Sequence, residues 1–148
     1  RCTDIVFMAN YAQTVNVIGC IKTDKTDACF DTTGLVLMLY RREFGTIPVA
    51  TDSQRPLDVQ AALTEDGRKL TISIVNPLRE AYDIPMTLSG VTLTGTGVKH
   101  EIAGDDPLAC NVPGEEPGVV IETSEVEGIG GTLSVAPQSA TLFVLDLE

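Results

Sequence analysis

Three side-chain amides, Asn10, Gln13 and Asn16, recur at three-residue spacing inside an apolar stretch, MANYAQTVNVIG at residues 8–19. A buried amide without a partner costs about 1–3 kcal/mol, so three of them among Val and Ile require partners. Two kinds satisfy that demand: backbone groups of neighbouring loops, or a polar ligand at the mouth of a site. Other chemistry-bearing side chains are thinly spread. Asp24, Asp27 and Asp31 follow Gln13 closely enough in sequence to approach a site near it, whereas Asp105, Asp106, Glu115 and Glu116 read as solvated turn residues. An acid/base pair needs two carboxyls whose environments drive their pKa values apart, and no such pair is legible, so the catalytic residues stay unassigned. The single histidine, His100, has no Ser or Cys at triad spacing. Cys2, Cys20, Cys29 and Cys110 form no CxxC pair and have no histidine cluster beside them, so neither a metal nor a cofactor is expected. The cysteines are expected as free buried thiols in a cytoplasmic protein, with one disulfide as the alternative.

The elements that must position the amides come on either side of them. Residues 4–8 (DIVFM) are β-branched and aromatic, as in a strand buried on both faces, and the amides fall where that strand would end. Residues 15–21 resume as a short strand or packed loop, and residues 22–31 read as a polar connection. A helix follows, with Asp31, Thr32 or Thr33 as its cap, a wide apolar face from Leu35 to Tyr40, and Arg41 and Arg42 in its last turn. Gly45 is placed just beyond its end, as a left-handed stop. Residues 47–56, with Pro48, Ser53 and Pro56, read as a linker.

From Leu57 the hydrophobic period becomes two. Leu57, Val59, Ala61 and Leu63 alternate with polar or small residues, the turn at Asp66 and Gly67 reverses the chain, and Leu70, Ile72 and Ile74 return. Five more strand candidates follow, at residues 84–88, 97–103, 119–125, 132–135 and 140–145, separated by Gly and Pro turns. Such regular short strands predict an antiparallel β-sandwich, with the last strand central because a flat apolar edge invites aggregation. The expected organisation is therefore a strand-loop-helix unit over 1–46, a linker over 47–56 and a sandwich over 57–148. The first unit is too small to bury its own apolar faces, so it must pack on the sandwich, on further chain or on another copy.

The totals restrict the partners. The 148 residues are 43% hydrophobic and carry a net charge of −11, which makes nucleic acid and anionic membrane poor partners and leaves a neutral sugar compatible. No apolar run reaches the roughly 18 residues that span a bilayer, so a soluble chain is expected. Residues 1–5 (RCTDI) carry no initiator Met and no leader, and read as the interior of a longer chain.

Several separate motifs, in consistent order, carry a family resemblance. MANYAQTVNVIG at 8–19, IKT at 21–23 and TGLVLMLYR at 33–41 resemble the C-terminal third of the α-L-arabinofuranosidases that join a (β/α)8 barrel to a β-sandwich. LDVQAALTEDG at 57–67 and LTISIVN at 70–76 resemble the start of that sandwich, DPLACN at 106–111 with Pro117 and Val120 its middle, and APQS at 136–139 its final turn. The resemblance implies a mainly β fold, a jelly-roll-like antiparallel sandwich preceded by the last strand and helix of a barrel. It implies further that Gln13 contacts a bound arabinofuranosyl group at the barrel mouth, with Asn10 and Asn16 in the same motif as loop support. Retaining glycosidases use two carboxyls about 5–5.5 Å apart; the resemblance puts both, as glutamates, on earlier barrel strands outside this sequence.

Three readings of function follow. The chain is the C-terminal part of an enzyme that removes terminal arabinofuranosyl groups from plant polysaccharides. Alternatively it is a small glycosidase that rebuilds a cleft by homo-oligomerisation, or a non-catalytic sugar-binding or interaction module. The absence of Trp weakens the last, since stacking platforms for sugars are aromatic.

Overall fold

The computed structural model describes residue 2, residues 4–53 and residues 55–148. Arg1 and Thr3 of the first expected unit and Gln54 of the expected linker lie outside the described residues. Among the described residues there are ten strands and one helix. No helix is long and apolar enough to cross a membrane.

The centre is a six-stranded antiparallel sheet in which β3 (Ile47–Val49), β4 (Asp58–Leu63), β5 (Lys69–Asn76), β10 (Ser139–Leu147), β7 (Leu93–Ile102) and β8 (Glu122–Glu127) lie in that spatial order. The last strand in sequence thus sits between β5 and β7, in the central position expected for it. Side-chain alternation splits the apolar residues between two faces. Leu70, Ile72 and Ile74 of β5 and Phe143 and Leu145 of β10 face a two-stranded layer, β6 (Tyr82–Pro85) and β9 (Thr132–Val135), and meet its Leu133 and Val135. Leu142 and Val144 point the other way, onto Leu35 and Leu39 of the helix α1 (Thr32–Glu43) and onto Val119. Each such side chain contributes about 1.5–3 kcal/mol when fully buried, so β10, apolar on both faces, is the strand on which both cores depend. The fold is a β-sandwich with a helix laid on its outer face.

The helix begins as the sequence indicates: Asp31 is the N-cap, its carboxylate accepting from the Thr32 N–H at 2.9 Å, and Arg41 and Arg42 occupy the last turn. Its docking uses polar groups as well. The Tyr40 hydroxyl meets the Ser73 hydroxyl, and the Gly45 N–H donates to Thr71 Oγ1, which itself donates to the Ala62 carbonyl, both at 2.9 Å. Thr71 and Ser73 are buried, and among the described residues no buried side-chain polar atom lacks a partner.

Several expectations are corrected. Residues 4–8 form no strand and are exposed, Phe7 to 98%; a strand buried on both faces needs a neighbour at each edge, and no strand among the described residues pairs with them. The amides of residues 10–16 are therefore exposed rather than buried. Of the two expectations for residues 15–21, the loop holds for residues 15–20, tied by one parallel bridge between Val15 and Ile21. The polar connection over 22–31 is a hairpin, β1 (Ile21–Thr23) against β2 (Ala28–Phe30). Gly45 does not end the helix left-handed: Phe44 is the C-cap, with φ −76°. Gly45 is required because a Cβ there would lie 2.4 Å from the Leu63 carbonyl oxygen. The segment read as a linker contributes β3, an edge strand, where Pro48 is tolerated because an edge has one row of unpaired groups. All four thiols are free, but Cys2 and Cys110 are exposed and Cys20 and Cys29 half-buried.

Candidate functional site

The three amides singled out in the sequence lie on one loop, residues 10–20, whose backbone is unusual. Gln13 (φ 53°), Asn16 (φ 56°) and Val17 (φ 48°) all adopt the left-handed region within five residues. Asn tolerates this conformation, but a β-branched residue is a genuine outlier there, and such strain, of order 1–3 kcal/mol per residue, persists only where surrounding contacts over-determine it.

Those contacts are specific. The Asn16 side chain is locked to β1 by two bonds: its Oδ1 accepts from the Thr23 N–H at 2.8 Å and its Nδ2 donates to Thr23 Oγ1 at 3.1 Å. The Ile21 N–H donates to the Thr14 carbonyl at 3.1 Å, and the Asn16 N–H donates to the Ile21 carbonyl at 2.8 Å. Lys22 Nζ donates to the Val17 carbonyl at 2.8 Å while pairing with Asp31 at 3.2 Å. The Tyr11 hydroxyl donates to the Ile18 carbonyl at 3.2 Å and lies 3.3 Å from Thr33 Oγ1. Helix and hairpin thus both grip the loop.

Gln13 stands apart within this network. Its backbone is left-handed and adjoins Thr14, whose carbonyl Ile21 holds, while its side chain is exposed and makes no hydrogen bond to the described residues. A carboxamide offers two donors and an acceptor, so an exposed, unbonded amide beside a tied loop segment suits recognition of vicinal hydroxyls. Asn10 is likewise exposed and without a side-chain bond to the described residues, but its backbone carries no such constraint. Asn16 has both its amide atoms committed to Thr23.

The nearby carboxylates are also committed. Asp24 accepts from the Thr26 and Asp27 N–H groups at 2.8 and 2.7 Å, and these bonds hold its pKa below the ordinary 3.8, the direction opposite to a general acid. Asp27 accepts from the Thr26 hydroxyl, and Asp31 caps the helix and pairs with Lys22. His100 lies across the sheet from Thr123, with Nδ1 2.9 Å from its hydroxyl. Among the described residues no group of three or more His, Cys, Asp or Glu is placed to hold a metal ion.

Reading the sequence missed Lys22, Tyr11 and Asn111. Lys22 and Tyr11 act through backbone carbonyls that only the folded loop brings near them. Asn111, 6% exposed, donates from Nδ2 to the carbonyls of Phe30 (3.0 Å) and Val119 (2.9 Å) and accepts the Val119 N–H at 2.8 Å.

The family model for the α-L-arabinofuranosidase C-terminal domain matches residues 1–139. The chain belongs to this family. Solved structures agree in fold. An α-L-arabinofuranosidase of family 51 from Thermotoga petrophila RKU-1 superposes with a TM-score of 0.82 at 24% identity, covering 97% of this chain and 35% of that one. The Thermotoga maritima α-L-arabinofuranosidase in its arabinose complex gives 0.75 at 24% identity, with 98% and 35% covered. A family 51 enzyme from Bifidobacterium longum gives 0.76 at 21%, with 97% and 31% covered. The chain thus spans about a third of the length of these arabinofuranosidases. No curated protein matched its sequence. As a C-terminal domain of this family, the chain carries the sandwich together with the 10–20 loop and the helix that supports it.

Proposed function

We propose that this chain serves in hydrolysis of terminal α-L-arabinofuranosyl groups, supplying one wall of the sugar site through Gln13. The observation that carries the reading is the free amide of Gln13 on a left-handed backbone, φ 53°, next to the tied Thr14, within a domain of the α-L-arabinofuranosidase family. The acid/base and nucleophile carboxyls of a retaining mechanism come from a barrel portion outside these residues, since Asp24, Asp27 and Asp31 are each engaged in turn or cap bonds. The exposed side chains of Ile5, Phe7 and Met8 mark the face on which that portion packs. In its absence the same face drives self-association, which light scattering over a concentration series reads directly.

Two measurements on the purified chain test the proposal. L-Arabinose is expected to shift the Gln13 side-chain amide resonance, while a chromogenic α-L-arabinofuranoside is not hydrolysed. No response of Gln13 to saturating arabinose would remove the proposal. Turnover by this chain alone, abolished by substitution of one carboxylate, would replace it with that of a glycosidase complete in these residues.

A further inference from the structure

The hairpin β1–β2 lies between the candidate sugar loop and the sandwich, and its two outer edges are used differently. The Asp31 N–H donates to the Cys20 carbonyl at 2.9 Å, which makes residues 20 and 31 a hydrogen-bonded pair of the ladder. In an antiparallel ladder such pairs alternate with non-bonded ones, so Ile21 and Phe30, the next pair, direct their N–H and C=O groups outward on opposite sides. On one side Ile21 takes the loop: its N–H bonds the Thr14 carbonyl and its carbonyl accepts from Asn16. On the other side the Phe30 carbonyl accepts from Asn111.

We propose that Asn111 is a positioning residue for the sugar site, holding the Gln13 loop in place through the Phe30–Ile21 pair of the hairpin. The inference rests on the reading of Gln13 as a sugar contact. Three features make the contact a built one. Asn111 lies 81 positions from Phe30 in sequence, so the bond ties the sandwich to the hairpin. Its amide is fixed by two further bonds to Val119, whose side chain packs in the same core as Leu35 and Leu39 of α1. Gly118 permits the close approach, since a Cβ there would stand 2.9 Å from the Cys110 carbonyl oxygen. From Val119 to Thr14 the path runs through hydrogen bonds except at Phe30–Ile21, which are facing ladder partners, and Thr14 is the residue next to Gln13. The sandwich is therefore the seat of the binding loop as well as a cover for the helix.

The test compares wild type with Asn111→Ala, Gly118→Ala and, as a control on the far face of the sheet, Ile72→Val. Asn111→Ala is expected to raise amide exchange at Asn16 and Ile21 about tenfold and to weaken L-arabinose binding at Gln13 by a similar factor. Gly118→Ala should act in the same direction and less, and Ile72→Val should leave both readouts at wild type despite lower thermal stability. Unchanged loop exchange in Asn111→Ala overturns the proposal. So does an equal change in Ile72→Val, because the effect would then be one of global stability. The exchange arm uses no sugar. Failure of wild type to bind arabinose would therefore overturn the reading of Gln13, while the exchange result would still decide whether Asn111 holds the loop.

Discussion

Val17 is the residue whose conformation is hardest to account for by its own preferences. It is β-branched, 80% exposed and at φ 48°, so it receives little packing in return for a left-handed backbone that costs roughly 1–2 kcal/mol. Its carbonyl, however, accepts from Lys22, and Asn16 before it is clamped by Thr23. Replacing Val17 with Asn, which adopts this region readily, is expected to raise stability by about 0.5–1 kcal/mol, read as a higher midpoint in thermal melting. Gln13→Ala should leave the melting midpoint unchanged, because the side chain makes no bond to the described residues, and should abolish the response of the loop to arabinose. Titration gives a further expectation. The Asp24 pKa is lowered below 3.8, first by the Thr26 and then by the Asp27 N–H, so its contribution to the hairpin turn is fully present above pH 3.8. That contribution is lost only as pH falls through the lower folded value. A carboxyl-carbon NMR titration should place the Asp24 midpoint below 3.8, and a midpoint at or above it would contradict the turn geometry.

Elements differ in how far their residues announce them. The helix was legible because a cap, an apolar face and terminal arginines all agreed, and β4 and β5 because period-two alternation met a turn whose Gly67 has φ 68°. The edge strand β3 was hidden by Pro48, which argues against a strand unless its place at the edge is known. The hairpin β1–β2 was hidden by its brevity and charge, since three-residue strands carry too little alternation to register. Residues 4–8 were misread in the opposite direction: their composition suits a buried strand, but burial also requires neighbours, which composition does not supply. For the candidate site, the sequence yielded the amide motif but neither the positive φ angles nor the Asn111 bond, because both depend on contacts between distant segments. Gly45 illustrates the same limit, being needed for approach to β4 rather than for a turn. Gly45→Ala is expected to destabilise by about 1–3 kcal/mol through overpacking, whereas Gly104→Ala, with open space around its Cβ, should be near neutral. Urea denaturation of the two variants separates these outcomes.

At the scale of the whole molecule, two cores meet back to back across one sheet. Removing side chain from either face of β10 should therefore weaken the fold cooperatively. Leu142→Ala on the helix side and Leu145→Ala on the β6–β9 side, both at 0% exposure, are each expected to cost about 2–5 kcal/mol in a single transition. Two separate transitions in calorimetry would show that the faces melt independently. The order of strands carries one more consequence, for how the protein is made. During synthesis β5 and β7 leave the ribosome long before β10 and are not neighbours of each other in the finished sheet. Until residues 139–147 emerge, the nascent chain holds two strand groups, β3 to β5 and β7 with β8, whose facing edges are open. Such edges recruit other chains, so this interval is when the polypeptide most needs protection by chaperones. Release of a chain ending at residue 138 should yield insoluble material without a cooperative melt, while addition of the last ten residues restores a soluble fold.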